Sequence, residues 1–220
     1  MSLPDVLLPI PNPDKTFHEK WNGRRNKLNF PHPFRATICG PPGAGKTNSI
    51  KNLILRADPP FQAIYVVHCD TGYTKEYKDI QGVKMLDSIP PPDSWDGKVK
   101  TLVVLDDCEY KALNKEQMKN LDRLCGYCST HKNISVINAV QELFTLPTIV
   151  RRCSNLWVLW RPNDWDSLNT IGRKLGMSAA DFRSLFRLCS QFRDSIWIDQ
   201  TPHSPYPMRK NGFELIDKKC

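Results

Sequence analysis

The residues best suited to chemistry lie in one short run, Gly40-Pro41-Pro42-Gly43-Ala44-Gly45-Lys46-Thr47. It fits the spacing G-x-x-x-x-G-K-[ST], and it stands between an apolar run, Arg35-ATIC, and a stretch of helical character. Glycines at these three positions let backbone N–H groups turn inward around phosphate oxygens. The N-terminus of the helix that follows adds partial positive charge. Lys46 is expected to reach the terminal phosphates of a nucleotide, and the Thr47 hydroxyl to hold Mg²⁺. Asn48 completes the expected nucleotide-binding set. A glycine-rich turn matching by chance is the competing explanation, and the flanking strand and helix argue against it.

Phosphate chemistry of this kind also needs carboxylates, and the run Thr101-LVVLDD supplies two. Asp106, last on an apolar strand, is expected to hold the metal with its water shell. Asp107 is then placed to polarise an attacking water, with Glu109 a weaker candidate two residues further on. The bland alternative is a pair of solvated strand-end carboxylates. A third element follows the next apolar run, Asn133-ISVINAV: there Gln141 can sense a terminal phosphate or orient water, or serve only as a hydrogen-bonded loop residue.

These residues need a scaffold. Six runs are short, nearly continuous in hydrophobicity, and rich in β-branched or aromatic residues: Arg35-ATIC, Ala63-IYVVH, Thr101-LVVLD, Asn133-ISVINAV, Asn155-LWVLW and Ser195-IWID. Strands buried on both faces of a parallel sheet have this character. Helices are predicted over 46–56, 114–130, 166–175 and 178–189, with Asn114 and Ser178 as N-caps. Strands alternating with helices imply crossover units and an α/β fold with a mainly parallel central sheet. Proline clusters mark loops and ends. They divide the chain into an N-terminal arm (1–33), one main domain (34–200) and a loosely packed C-terminal tail (201–220).

Composition bounds the function. At 220 residues, 40% hydrophobic and 25% charged, the chain is globular, with one large domain or at most two small ones. No apolar run approaches the ~20 residues of a membrane-spanning helix, and the first residues lack the basic start of a secretory signal. With 31 Lys and Arg against 23 Asp and Glu, the net charge of +8 favours a polyanionic partner, the alternative being a basic solvated surface. Eight cysteines in a chain of this size without a signal are expected to be reduced thiols in an intracellular protein.

Two further patterns are open. Cys125-GY-Cys128-ST-His131 has part of a zinc spacing but no second ligand pair, and thiols buried on one helix face explain it equally. Basic residues interleave with aromatics in 15–27 and again in 182–193, where Arg183, Arg187 and Arg193 could meet phosphates or simply line an exposed face.

The glycine-rich loop, the Leu-Val-Val-Leu-Asp-Asp run and the segment Thr130-HKNISVINAVQ, in that order, resemble the viral genome-packaging ATPases of the FtsK–HerA superfamily. The subgroup it resembles is the poxvirus type, found across large DNA viruses, virophages and Polinton- or adintovirus-like elements. The resemblance covers about residues 35–200. It implies a RecA-like three-layer P-loop NTPase fold, with ATP and Mg²⁺ as ligands. It also implies a homo-oligomeric ring that drives double-stranded DNA into a preformed capsid, with a capsid or portal component as partner and no membrane. Under it Gly40 to Thr47 take the Walker A role, Asp106 and Asp107 the Walker B role, and Gln141 the sensor role. The location it implies is the nucleus or cytoplasm of a host cell, or the virion. Where relatives often carry Arg-His, this chain has Thr130-His131, which leaves a charge stabiliser supplied across a subunit interface unassigned. Arg151 and Arg152 are the nearest replacements, ordinary surface arginines the alternative. The other functions to weigh are a helicase-like or replication ATPase, a nucleotide or small-molecule kinase, and a nucleotide-binding scaffold without hydrolysis. The intact Lys46, Thr47 and Asp106 argue against the last.

Overall fold

The computed structural model describes residues 25, 28, 30–68, 74–162 and 165–216. The six apolar runs form β1 (Arg35–Cys39), β2 (Ala63–Val67), β4 (Thr101–Asp106), β5 (Ile134–Val140), β6 (Leu156–Trp160) and β7 (Ser195–Asp199). A further strand, β3 (Val83–Leu86), adds to the edge beyond β2. Its mixed exposure blurs the pattern that the central strands display, which is why it escapes sequence reading. With β8 (Met208–Lys210) and β9 (Glu214–Leu215), the described residues form a sheet ordered β3-β2-β4-β5-β1-β6-β7-β8-β9. Pairing is parallel from β3 to β6 and antiparallel from β6 to β9.

The layers follow from strand alternation. Leu102 and Val104 face one cluster with Ile50 and Leu53 of α1 (Lys46–Leu55). Val103 and Leu105 face the other, with Leu121 of α2 (Lys115–Arg123), Val150 of α3 (Thr148–Cys153), Ile171 of α4 (Trp165–Lys174) and Phe182 of α5 (Ala179–Leu185). Helices therefore cover both faces, the three-layer α/β fold expected. Each apolar side chain so enclosed contributes about 1.5–3 kcal/mol.

Both expected caps form: the Asn114 side chain accepts from Gln117 N at 2.8 Å, and Ser178 Oγ accepts from Asp181 N at 3.1 Å. α2 runs on through a π-type turn, Leu124–Cys128, to a last turn at Ser129–His131. α5 stops at Leu185 and gives way to a 3₁₀ turn, Phe186–Leu188, short of the expected helix end at 189.

Described residues near both ends of the chain pack against the sheet. Leu28, Phe30 and Phe34 are buried, and Phe30 stacks on Trp197 with ring centroids 5.7 Å apart. His32 bonds Ser135 Oγ at 2.8 Å, and burial pushes its pKa down to about 3, so it packs as a neutral ring. In the tail, β8 pairs with β7, and buried Arg209 donates to the Leu28 and Gly212 carbonyls while lying over the Phe30 ring. Leu28 and Phe30 thus meet Arg209 across the antiparallel edge. Most of the basic stretch at 15–27 lies outside the described residues; Arg25 is ion-paired with Asp199 at 3.0 Å.

Candidate nucleotide-binding site

The site grows from the C-terminal ends of three neighbouring strands. β5 lies between β4 and β1, and its register pairs Ala139 with both Asp106 and Ile38. The carboxylate end of β4, the glycine-rich loop after β1 and the Gln141 loop after β5 therefore emerge at one level.

The loop itself is shaped by close approach and handedness. A Cβ at Gly40 would stand 2.8 Å from the Trp160 ring, so only glycine lets β1 turn over that indole. Gly45 sits at φ 109°, a left-handed conformation that costs other residues strain, and opens α1 as its N-cap. Lys46 is 8% exposed, and its Nζ donates to the Gly40 and Pro41 carbonyls at 3.0 and 3.3 Å. The ammonium is thus folded back over its own loop against neutral acceptors. That is where an anion held by the loop would meet it, so the cradle fits a phosphate.

Asp106 is 5% exposed, and its carboxylate is held above the usual range by burial, opposed by a 2.6 Å hydrogen bond from the Tyr77 hydroxyl. Burial and the adjacent Asp106 charge raise the Tyr77 phenol in turn, so it acts as a donor only. Thr47 Oγ1 donates to Glu76 Oε2 at 3.0 Å. One 3₁₀ turn, Thr74–Tyr77, therefore engages both residues expected to hold Mg²⁺. A hydroxyl and a carboxylate as oxygen donors suit that ion. Glu76 and Tyr77 are absent from the sequence reading, because they stand in a turn with no motif, 29 residues from their partners.

Asp107 is exposed and adopts φ 45°, rare for a residue with a side chain. Its N–H donates to the Ala139 carbonyl at 3.3 Å, anchoring the turn to β5. Asp107, Glu109 and Gln141 share a cleft of about 580 Å³, while Gln141 also lines a smaller one with Gly40, Pro41 and Pro42. Cys39 Sγ donates to the Gln141 carbonyl at 3.7 Å, tying the two loops together, and burial pushes that thiol up to about 12.

Arg151 and Arg152 lie apart from this group. They end α3 and line a separate pocket with Trp157 and Lys174, whose ammonium donates to both of their carbonyls. Arg151 lies over the Phe144 ring, and Arg152 is exposed. Cys125 and Cys128 are buried in the core, and burial raises both thiols. Among the described residues, no three His, Cys, Asp or Glu side chains gather as a metal site of their own. Phe182 and Phe186 are likewise core residues, with Arg183 over the Trp165 ring.

Fold and loop together define a P-loop NTPase of RecA-like α/β architecture. No protein-family profile and no curated protein sequence matches the chain. Among solved structures it is similar to the genome packaging NTPase B204 from Sulfolobus turreted icosahedral virus 2. In complex with sulfate, that protein gives a TM-score of 0.60 at 15% identity, over 82% of this chain and 96% of that one. In complex with ATP-gammaS it gives 0.58 at 15% identity, over 84% and 98%. B204, the DNA-packaging ATPase from Sulfolobus turreted icosahedral virus, gives 0.55 at 16% identity, over 80% and 95%. Likeness at this level of identity establishes the fold.

Proposed function

We propose that this chain is a Mg²⁺-dependent ATPase that works as a homo-oligomeric ring and drives double-stranded DNA into a viral capsid. The observation that supports the reading is that β1, β4 and β5 are neighbours in register, so the loop bearing Lys46 and Thr47, the carboxylates Asp106 and Asp107, and Gln141 follow adjacent strand ends. The named activities of the B204 structures support the packaging role, and the net charge of +8 suits a DNA partner. A capsid or portal component is the further partner, and the place of work is the host cell or the virion. No helix among the described residues is long and apolar enough to cross a membrane.

In this reading the loop amides and Lys46 bind and neutralise the ATP phosphates. Thr47 and Asp106 hold Mg²⁺, which when bound offsets charge on the phosphate oxygens. Asp107 draws the proton from the attacking water, and Gln141 orients that water. Exposed Arg152, with Arg151 behind it, acts across the ring interface on a neighbour's nucleotide, since in its own subunit it borders a different pocket.

The reading is tested by ATP hydrolysis measured with and without long double-stranded DNA, alongside a screen for phosphate transfer to nucleoside monophosphates. Stimulation by DNA is expected. Transfer to an acceptor with no response to DNA would replace the motor with a kinase.

A further inference from the structure

The phosphate-binding loop has a second side. Carboxylates, Gln141 and the strands β5 and β4 lie on one flank, so the terminal phosphate and metal end of a nucleotide is drawn there. The rest of the molecule must then leave the loop toward β6–β9. A cleft of about 230 Å³ lies there, walled by Gly45 and Asn48 at the start of α1, by Trp160, and by Arg193 and Phe213. Complete small ligands usually occupy about 300–1,000 Å³, so this volume suits one end of a nucleotide. Gly45 belongs both to this wall and to the phosphate loop, which makes the two continuous.

Phe213 is held in place with some care for a residue 59% exposed. It follows the tight turn at Asn211 and Gly212, which have φ 53° and 82° and close a bond from Phe213 N to the Lys210 carbonyl at 3.1 Å. The Asn211 side chain pins that turn, accepting from Ser195 N at 2.8 Å and donating to Asp194 Oδ1 at 2.9 Å. The Arg56 guanidinium, at the end of α1, lies 5.1 Å from the Phe213 ring centroid. An aromatic ring thus stands at the solvent edge of a largely apolar cleft, fixed from both the hairpin and the helix that begins at the phosphates.

From this geometry we infer that the cleft between α1 and the β8–β9 turn receives the nucleoside of the bound nucleotide, its base stacked on Phe213. Arg193 borders the same wall, its carbonyl accepting from Trp160 Nε1 at 3.1 Å. The inference rests on the proposed nucleotide site and gives that site its direction along the sheet edge. Stacking needs only the flat face of a base, so the contact adds affinity for nucleosides in general.

Calorimetric titration of the full-length protein with a non-hydrolysable ATP analogue and, separately, with inorganic tripolyphosphate tests it. Phe213→Ala is expected to weaken the analogue by about 5- to 150-fold, the range found for base–aromatic stacks, and to leave tripolyphosphate within about twofold. Phe213→Trp should restore analogue binding. If Phe213→Ala binds the analogue as the native protein does, or loses both ligands equally, the nucleoside does not stack there. If the native protein binds tripolyphosphate and the analogue with equal affinity, the nucleoside adds nothing and the cleft assignment falls while the phosphate site stands. Binding of neither ligand would overturn the phosphate site, and this inference with it.

Discussion

On the β4–β5 side of the phosphate loop the exposed side chains include the acidic and amide groups of Asp107, Glu109, Gln141 and Glu142 and one cation, Lys111, with the buried carboxylate of Asp106 at the end of β4. On the β6–β9 side they are Asn48, Arg193 and Phe213, with Arg56 over the aromatic ring. The first set can hold a cation and move a proton; the second can hold a flat, weakly polar group. A sheet whose halves carry such different groups gives an asymmetric ligand one orientation. In our reading the asymmetry sets ATP with its reactive end toward β4.

Six substitutions, in four experiments, probe that division. The largest effect is expected from Lys46→Ala, at the point where the flanks meet: hydrolysis should fall below detection and nucleotide binding should weaken, because the loop loses its only positive side chain. Near-native turnover in a pure preparation would place the reaction elsewhere.

Next comes charge supplied from outside the subunit. Arg151→Ala/Arg152→Ala should cut turnover by about 10³- to 10⁵-fold, the range for an arginine acting on a developing phosphate charge. Mixed with inactive Lys46→Ala subunits, it should regain partial activity, since some interfaces then pair an intact loop with intact arginines. No recovery despite confirmed co-assembly would keep these arginines within their own subunit.

Asp107→Asn should slow hydrolysis by about 10²- to 10⁴-fold while ATP stays bound, because the amide keeps the shape and loses the basic oxygen. Glu109→Gln should do little. The reverse ranking would move the proton acceptor two residues along the same flank.

The smallest effect concerns the 3₁₀ turn over the metal ligands. Tyr77 donates to Asp106 and favours its charged form, whereas burial favours the protonated one. Tyr77→Phe should therefore raise the Mg²⁺ concentration for half-maximal nucleotide binding by about 2- to 12-fold, as one hydrogen bond would. Asp106 already protonates above the ordinary carboxylate range, so the variant's deficit should widen as pH falls toward that range and narrow as pH rises. An unchanged Mg²⁺ dependence would mean that Tyr77 serves packing alone.

The strands that lead to both flanks were legible in the sequence, whereas the β8–β9 turn that closes the second flank was not. Gly40 to Thr47, Asp107 and Gln141 follow apolar strands closely, and Asp106 ends one, so the chain marks where each stands on the sheet. Glu76 and Tyr77 reach the site from a turn after β2 whose own sequence carries no pattern. The nucleoside cleft draws on α1, Trp160 and residues 193–213, which only the antiparallel edge brings together. One local signal was there: Asn211-Gly212 is a strong hairpin-turn dipeptide. The basic residues of the short strand before it, and the prolines at 202, 205 and 207, gave the segment the look of an unpaired tail. Arg209 is buried because two carbonyls and an aromatic face receive its guanidinium, partners that no periodicity reveals.

Movement along duplex DNA is the central claim, and displacement of a third strand measures it directly. A triplex-forming oligonucleotide is annealed at one end of a long linear duplex, and its release is followed after the protein is added. Release should require ATP and Mg²⁺ together and be absent with Lys46→Ala. Brisk ATP hydrolysis on the same duplex with the third strand left in place would contradict it.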